Sequence, residues 1–291
     1  MIVFVSKKIG KTQFTKPFVY RAPYSSITIE RFMRFEELDT RLRVYETAHD
    51  LCVMPEMFVV VRLDGRGFTK KTKETWQLDA PFDTRFHELM VATTKHLMSC
   101  GFNIIYGYTQ SDEISLLFHP TEDTFKRKIR KINSVLAGEA SGFFSVTHGQ
   151  LASFDARVSQ LPNTSLVQQY FRWRQEDAHR NSLNAHCYWL LRKQGIDANS
   201  ATKQMAGKAL KDKHELLYQH GINYNELPNW QKRGTGIYFT EVNKTGFNPK
   251  SNSSTVTQRR VLIANTDLPL GEEYDAFITE LLPTDLTIQS V

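Results

Sequence analysis

Cysteine is scarce. The 291 residues hold three, Cys52, Cys100 and Cys187, far apart and odd in number. No CxxC spacing occurs, and the histidines do not join them at zinc-ligand intervals. Neither a disulfide framework nor a structural zinc site is expected. Long apolar runs are missing too: none approaches the roughly 20 residues of a membrane span. Met1–Val5 is too short for a signal peptide, and its lysines follow the apolar stretch instead of leading it. These absences lead us to expect a soluble cytoplasmic protein in a reducing compartment, without a membrane partner.

What is present is ordinary in bulk and uneven in detail. Hydrophobic residues make up 41% and charged residues 23%, and the net charge is +6. The composition suits a globular chain, and the basic balance mildly favours a polyanion as partner. Residues 1–32 lack any apolar period and read as an N-terminal arm or an upstream-start extension. From Met33 a helical pattern begins. Phe58 to Leu63 (FVVVRL) is a β-rich run entering the turn Asp64-Gly65-Arg66-Gly67. Pro81 to Cys100 has helical spacing, with Gly101 as a stop. Ile104–Tyr108 and Ile114–Phe118 read as two strands around a polar hairpin. A helix is expected from about Glu122 to Phe144, then a strand at Phe154–Val158. Strand, helix, strand, strand, helix, strand is the order of a palm-like sheet.

Two further helices are expected, Ser165–Lys193 and Ser200–Gln219. Beyond them, Gly236–Val242 and Thr257–Ala264 are β-rich and flank a polar loop, Asn243 to Ser254. The expected class is α+β: a palm-like, ferredoxin-like antiparallel sheet with helices on one face, plus a helical C-terminal region with a few strands. The expected organisation is an arm at 1–32, a palm-like unit at 33–158 and a C-terminal region at 159–291.

Five constellations carry chemistry. Asp64 ends a strand, and Asp112 and Glu113 occupy the hairpin turn that a palm-like sheet sets beside it. Gathered carboxylates repel unless a cation joins them, and a pair of Mg²⁺ ions suits nucleotidyl transfer. The alternative is a turn signal beside a polar hairpin tip. Gly65-Arg66-Gly67-Phe68-Thr69 offers backbone N–H groups to phosphate, although it lacks the GK[ST] ending of a Walker A loop. Lys126 to Lys131 (KRKIRK) puts basic charge at a helix start, where the dipole disfavours it unless an anion is bound; a solvated helix face is the alternative. Trp173, Asp177, Asn181 and Asn184 form a polar stripe with one aromatic, suited to hydrogen bonding or stacking. His179 nearby reads equally as a structural histidine. Lys211-Asp212-Lys213 and Asn223–Pro228 read as turn-rich polar segments.

In order along the chain, VVVRLDGRGF, GYTQSDEISLLF, FKRKIRK, WRQEDAHRNSL, LKDKHELLY, GINYNELP and KRGTG resemble the tRNA-His guanylyltransferase family. The resemblance spans roughly residues 34–242. It implies a palm domain that extends RNA in the 3′-5′ direction. By that resemblance, Asp64 and Asp112, with the Gly65 carbonyl, would hold two Mg²⁺ ions, supported by Glu113. Gly65, the backbone of Arg66, Gly67, Phe68 and Thr69, with Ser111, Lys128 and Lys131, would hold the nucleoside triphosphate. His179, Asn181, Lys213 and Asn225 match positions used around the 5′ end of tRNA. ATP and GTP are the implied substrates, and a homotetramer built from dimers is the implied assembly. Where eukaryotic members carry HINNLYN, this sequence reads His179-Arg180-Asn181-Ser182-Leu183-Asn184-Ala185. That resembles the bacterial and archaeal branch and leads us to expect repair of 5′-truncated tRNA, the alternative being a dedicated tRNA-His guanylyltransferase. Two rivals need fewer parts. A nucleotide cyclase shares the palm but needs no tRNA surface. A non-catalytic RNA-binding module would not put Asp64 and Asp112 where phosphate must approach.

Overall fold

The computed structural model describes residues 34–248 and 253–283; the expected arm at 1–32 and the start at Met33 lie outside them. Of the described residues, 34–49 belong to one unit and those from Asp50 onward to another. In the first, helix α1 (Phe35–Thr47) buries none of its side chains within its own unit and carries an Asp39–Arg43 ion pair.

The second unit is built on strands β1 (Phe58–Gly65), β2 (Ile104–Gln110), β3 (Glu113–Phe118), β4 (Phe154–Leu161), β5 (Thr235–Asn248) and β6 (Ser253–Asn265). Its helices are α2 (Phe68–Lys70), α3 (Thr84–Leu97), α4 (Ile129–His148), α5 (Thr164–Lys193), α6 (Ala198–Met205), α7 (Leu210–Tyr218), α8 (Asn229–Arg233) and α9 (Gly271–Leu281). The sheet is antiparallel throughout, in the order β4-β1-β3-β2-β5-β6. Its first four strands are the palm-like set. The boundary expected at 158 does not divide two bodies, because β5 pairs with β2 and carries the later strands onto the same sheet.

The palm helices α3 and α4 lie on one face, as expected, and helices α5 and α9 of the C-terminal region cover the other. Val59, Val61 and Leu63 of β1 join Met90 and Leu97 of α3 and Ile132 and Leu136 of α4 in one core. Phe58 and Val60, pointing the other way, join Val167 and Phe171 of α5 and Tyr274 and Ile278 of α9 in a second. Burial on both sides explains why β1 is continuously apolar instead of alternating. The exception within that run is Arg62, half-buried on the α5 face.

Three expected elements differ. The helix expected from Glu122 starts only at Ile129, because Phe125, Lys126 and Arg127 adopt left-handed backbone angles (φ 57°, 53° and 54°). Contacts hold that bend: Arg127 donates to the Met57 carbonyl at 2.5 Å, and Val53 N–H donates to the Arg127 carbonyl at 3.0 Å. The helix expected at Ser200–Gln219 is two, α6 and α7, broken around Gly207, whose φ is +72°. The polar loop expected at Asn243–Ser254 is mostly strand, with pairs from Asn243↔Gln258 to Asn248↔Ser253. Ladder hydrogen bonds come from the backbone, so a polar sequence can pair without an apolar face. Among the described residues no helix is long and apolar enough to cross a membrane.

Candidate active site

The register of three strands assembles the site. Asp64 faces Glu113 across β1–β3 and Asp155 across β1–β4. Two pairs further along, Arg62 faces Ser115 and Arg157. Residues two apart in a strand share a face, so an acidic row stands beside a basic one, on the side that α5 covers. Asp112 completes the acidic group from the β2–β3 turn, and its carbonyl accepts from Gly65 N–H at 3.0 Å. That bond ties the ends of the two expected ligand segments together.

The counter-charges are unequally shared. Arg62 reaches Asp64 at 3.0 Å and also bridges to Glu113. Arg157 lies 3.5 Å from Asp64. Arg174 of α5, only 5% exposed, lies 3.3 Å from Glu113 and 3.7 Å from Asp177. Burial pushes the Glu113 carboxyl up, against the pull of Arg62 and Arg174. Among the described residues no basic side chain pairs with Asp112, whose carboxylate accepts instead from the Ser111 hydroxyl at 3.2 Å. Burial, aided by the Asp64 and Glu113 charges, pushes its carboxyl up to about 6. Asp112 is therefore the carboxylate that lacks a cation.

This arrangement bears on metal binding. Among the described residues no three His, Cys, Asp or Glu side chains are gathered as a ready-made metal centre. Two carboxylates are available, Asp64 and Asp112, and their oxygens together with the Gly65 carbonyl suit a hard cation such as Mg²⁺. Glu113 is held by Arg62 and the buried Arg174, and Asp64 by Arg62 and Arg157, so among the described residues Asp112 is the member of the group that no arginine engages. The residues fit the group on the ground that Asp112 is half-buried without a counter-charge, which pushes its carboxyl up to about 6.

Two cavities meet at Asp112. The first, about 240 Å³, lies on the α3 side between Phe68, Thr72, Phe82, His87, Trp189 and Trp230. It is walled by rings: His87 stacks on Trp230 at 4.2 Å, and Phe82 meets Trp230 edge-on at 5.9 Å. Burial lowers His87 to about 4, so it is neutral, and its Nε2 lies 2.8 Å from the Thr235 hydroxyl. An aromatic slot of this kind suits a nucleobase. The second cavity, about 220 Å³, lies under α5. Pro81, Phe82, Gln110, Ser111 and Asp112 line both.

The expected phosphate cradle is only partly free. Arg66 N–H donates to the Ser153 carbonyl at 2.9 Å, which leaves the amides of Gly67, Phe68 and Thr69. Gly67 sits in the left-handed region at φ 71°. Within one chain the structure does not bring Lys128 and Lys131 to this site, contrary to expectation. They lie at the opposite end of the sheet, where Cys52 bridges Lys128 and Arg127 holds the residue before β1. The eight residues of β1 separate that end from Asp64, a span of about 20 Å. Lys128 is also paired there with Asp50 at 2.6 Å. The reason is the bend at 125–127, which a continuous helical pattern does not reveal.

The expected tRNA residues fall in two places. Asn181 lines the second cavity, and its amide donates to Asp177 at 3.3 Å. His179, Lys213 and Asn225 surround Tyr224 in a corner between α5, α7 and α8. The His179 ring is 5.4 Å from Tyr224, Cys187 contacts the Lys213 carbonyl, and Lys232 donates to the Asn225 carbonyl at 2.6 Å. Burial lowers the His179 pKa, helped by His214, Lys232 and Arg233. Sequence reading missed Arg62, Arg157, Arg174 and the aromatic slot. Arg62 carried a signal, a lone charge in an apolar strand. Trp189 and Trp230 carried none, since only tertiary folding unites them with Phe82.

Residues 39–162 match the family model described as tRNAHis guanylyltransferase, and residues 165–268 match that of the family's C-terminal domain. A tRNA(His) guanylyltransferase of Schizosaccharomyces pombe is 31% identical over 221 residues, 72% of this chain and 84% of the relative. Among solved structures, a bacterial tRNA(His) guanylyltransferase-like protein in complex with ATP superposes with a TM-score of 0.67 at 28% identity. The match covers 84% of this chain and 99% of that one. A GTP complex of such a bacterial protein gives 0.63 at 28% identity, covering 84% and 98%.

Proposed function

The chain belongs to the tRNAHis guanylyltransferase family of nucleotidyltransferases, and from that premise we propose that it adds guanylate to the 5′ end of tRNA-His. The observation that carries the proposal is the position of Asp112, half-buried and without a counter-charge at the partition of two cavities. The aromatic slot would take the nucleoside of the activating ATP and the cavity under α5 the nucleoside of the incoming GTP, with the reacting phosphates at Asp112 between them. ATP and GTP are proposed as the two substrates because the bacterial neighbours are complexes with them.

Asp64 and Asp112, with the Gly65 carbonyl, would hold Mg²⁺. When bound it neutralises charge on the transferred and departing phosphates. Arg62 and Arg157 orient Asp64, and Arg62 with Arg174 hold Glu113 beside it. The ring pair His87–Trp230 keeps water from the base. In the activation step a 5′-phosphate oxygen attacks the α-phosphorus of ATP, and pyrophosphate leaves. In the transfer step the 3′-hydroxyl of GTP attacks the activated 5′-phosphorus, forming a P–O bond as AMP departs. Removal of pyrophosphate from the added nucleotide completes the sequence. The corner at His179, Lys213 and Asn225 is proposed as a tRNA contact.

The curated relatives support dedicated tRNA-His guanylylation over the repair of truncated tRNA expected from Ser182, Asn184 and Ala185. The two readings separate in one experiment. Each of four tRNAs lacks its first nucleotide and carries a different opposing base. Dedicated guanylylation adds G whatever the opposing base, with at least about tenfold preference for tRNA-His, a difference worth about 1.4 kcal/mol. Addition that follows the opposing base on any tRNA overturns this reading and restores repair.

A further inference from the structure

We infer that the cavity under α5 reads the base edge of guanine, with Asp177 accepting from the base and Arg174 donating to it. The inference rests on the transferase reading and deepens it, because it names what selects G where no base pair does. The cavity is lined by Gln110, Asp112, Glu113, Arg174, Asp177 and Asn181, with Ala178 and Ala185 also lining it. Three carboxylates against one guanidinium repel a phosphate and admit an uncharged group. The small alanines leave room for a flat ring.

Arg174 supplies the second observation. It is a buried guanidinium whose NH1 is engaged with Glu113 and Asp177, yet its Nε finds no hydrogen-bond partner. A buried N–H without an acceptor is unfavourable, so the Arg174 guanidinium keeps hydrogen-bonding capacity that its protein neighbours leave unused. Asp177 is half-buried and accepts at 3.3 Å from Asn181. A carboxylate has room for further donors after that one. The cavity therefore sets an unused donor beside a carboxylate with spare capacity. Guanine offers the matching set, N–H groups at N1 and N2 beside the O6 acceptor. Adenine presents an acceptor at N1 beside an amino donor, the reverse sense. A site built on such groups rejects an analogue that leaves them unpaired more strongly than an apolar slot rejects a change of size.

The test compares GTP with ITP, which keeps O6 and N1–H and lacks only the 2-amino group. The acceptor is a truncated tRNA with an abasic position opposite the incoming nucleotide, so that pairing contributes nothing. Wild-type enzyme should prefer GTP by at least about tenfold in kcat/KM. In Asp177→Asn that ratio should fall to within about twofold, whatever the absolute rate. A wild-type ratio near one, or a ratio unchanged in the variant, overturns the inference and leaves Asp177 as a counter-charge for Arg174. Inhibition of wild-type enzyme by free guanosine against inosine needs no variant, and equal inhibition also overturns it. If wild-type enzyme adds neither nucleotide, the transferase reading falls. Calorimetric binding of guanosine against inosine then decides the cavity alone, equal affinity counting against it.

Discussion

Asp112→Asn should raise thermal stability at pH 8 while removing nucleotide addition. The stability half follows from the Asp112 carboxyl, which folding pushes from 3.8 to about 6. Its charged form is thus disfavoured in the fold. Below the unfolded value both states are protonated, and the group adds nothing unfavourable. As pH rises through the folded value the native state is left with an ionised carboxylate and loses stability. Asparagine never ionises, so the variant should match the wild type near pH 3. Its advantage should open between about pH 4 and 6 and be complete by pH 8. A displacement of that size corresponds to roughly 3 kcal/mol at most, or several degrees in Tm for a chain of this size. The scans are run with chelator, since a bound cation favours the ionised wild type and narrows the gap. Activity should fall by about a hundredfold or more, because a neutral amide holds a divalent cation far less well than a carboxylate does. A pH-independent Tm difference would count against the burial argument. Turnover within tenfold of wild type would count against the catalytic one.

That opposition between stability and activity clarifies what the sequence made readable. The Asp64–Gly65 strand end and the Asp112–Glu113 hairpin were legible because strand order alone sets them side by side. The period of α3 and the span of α5, expected at Ser165–Lys193 and found at Thr164–Lys193, were legible for local reasons. Arg174 was not. Its helix advertises an exposed stripe of Trp173, Asp177, Asn181 and Asn184. The polar side chains that matter to the core lie on other faces of the same helix: Arg174, Gln175, Ser182 and His186 are all buried. Sequence pattern treats a polar residue as a solvent residue, yet burial with a partner is available to any of them. Lys128 failed in the opposite way. Its basic neighbours look like a phosphate site until the bend at 125–127 commits it to Asp50.

Gly65→Ala should disable the enzyme and destabilise it, whereas Gly67→Asn should do neither to a comparable degree. The two glycines flank Arg66 in the same turn but are needed for different reasons. Gly67 adopts φ +71° with nothing within 4 Å of an added Cβ. Its requirement is conformational, and asparagine visits that region at small cost. Gly65 has ordinary backbone angles, but an added Cβ would stand 2.5 Å from the Phe68 ring. That ring cannot retreat. It is 1% exposed and wedged against Trp76 at 4.8 Å, Phe154 at 5.0 Å and Phe144 at 5.2 Å. The turn must therefore move instead, and such overpacking costs about 1–3 kcal/mol. The movement strikes the site directly, because Gly65 N–H is bonded to the Asp112 carbonyl and the preceding residue is Asp64. A displacement near 1 Å between the two carboxylates is enough to lose about a hundredfold in rate. The measurement pairs denaturant unfolding with steady-state guanylate addition for both variants. Normal turnover in Gly65→Ala would mean that the turn tolerates the shift and that Asp64 and Asp112 need no fixed separation. Equal losses in Gly67→Asn would mean that the whole turn, and not the Gly65–Phe68 contact, sets the geometry.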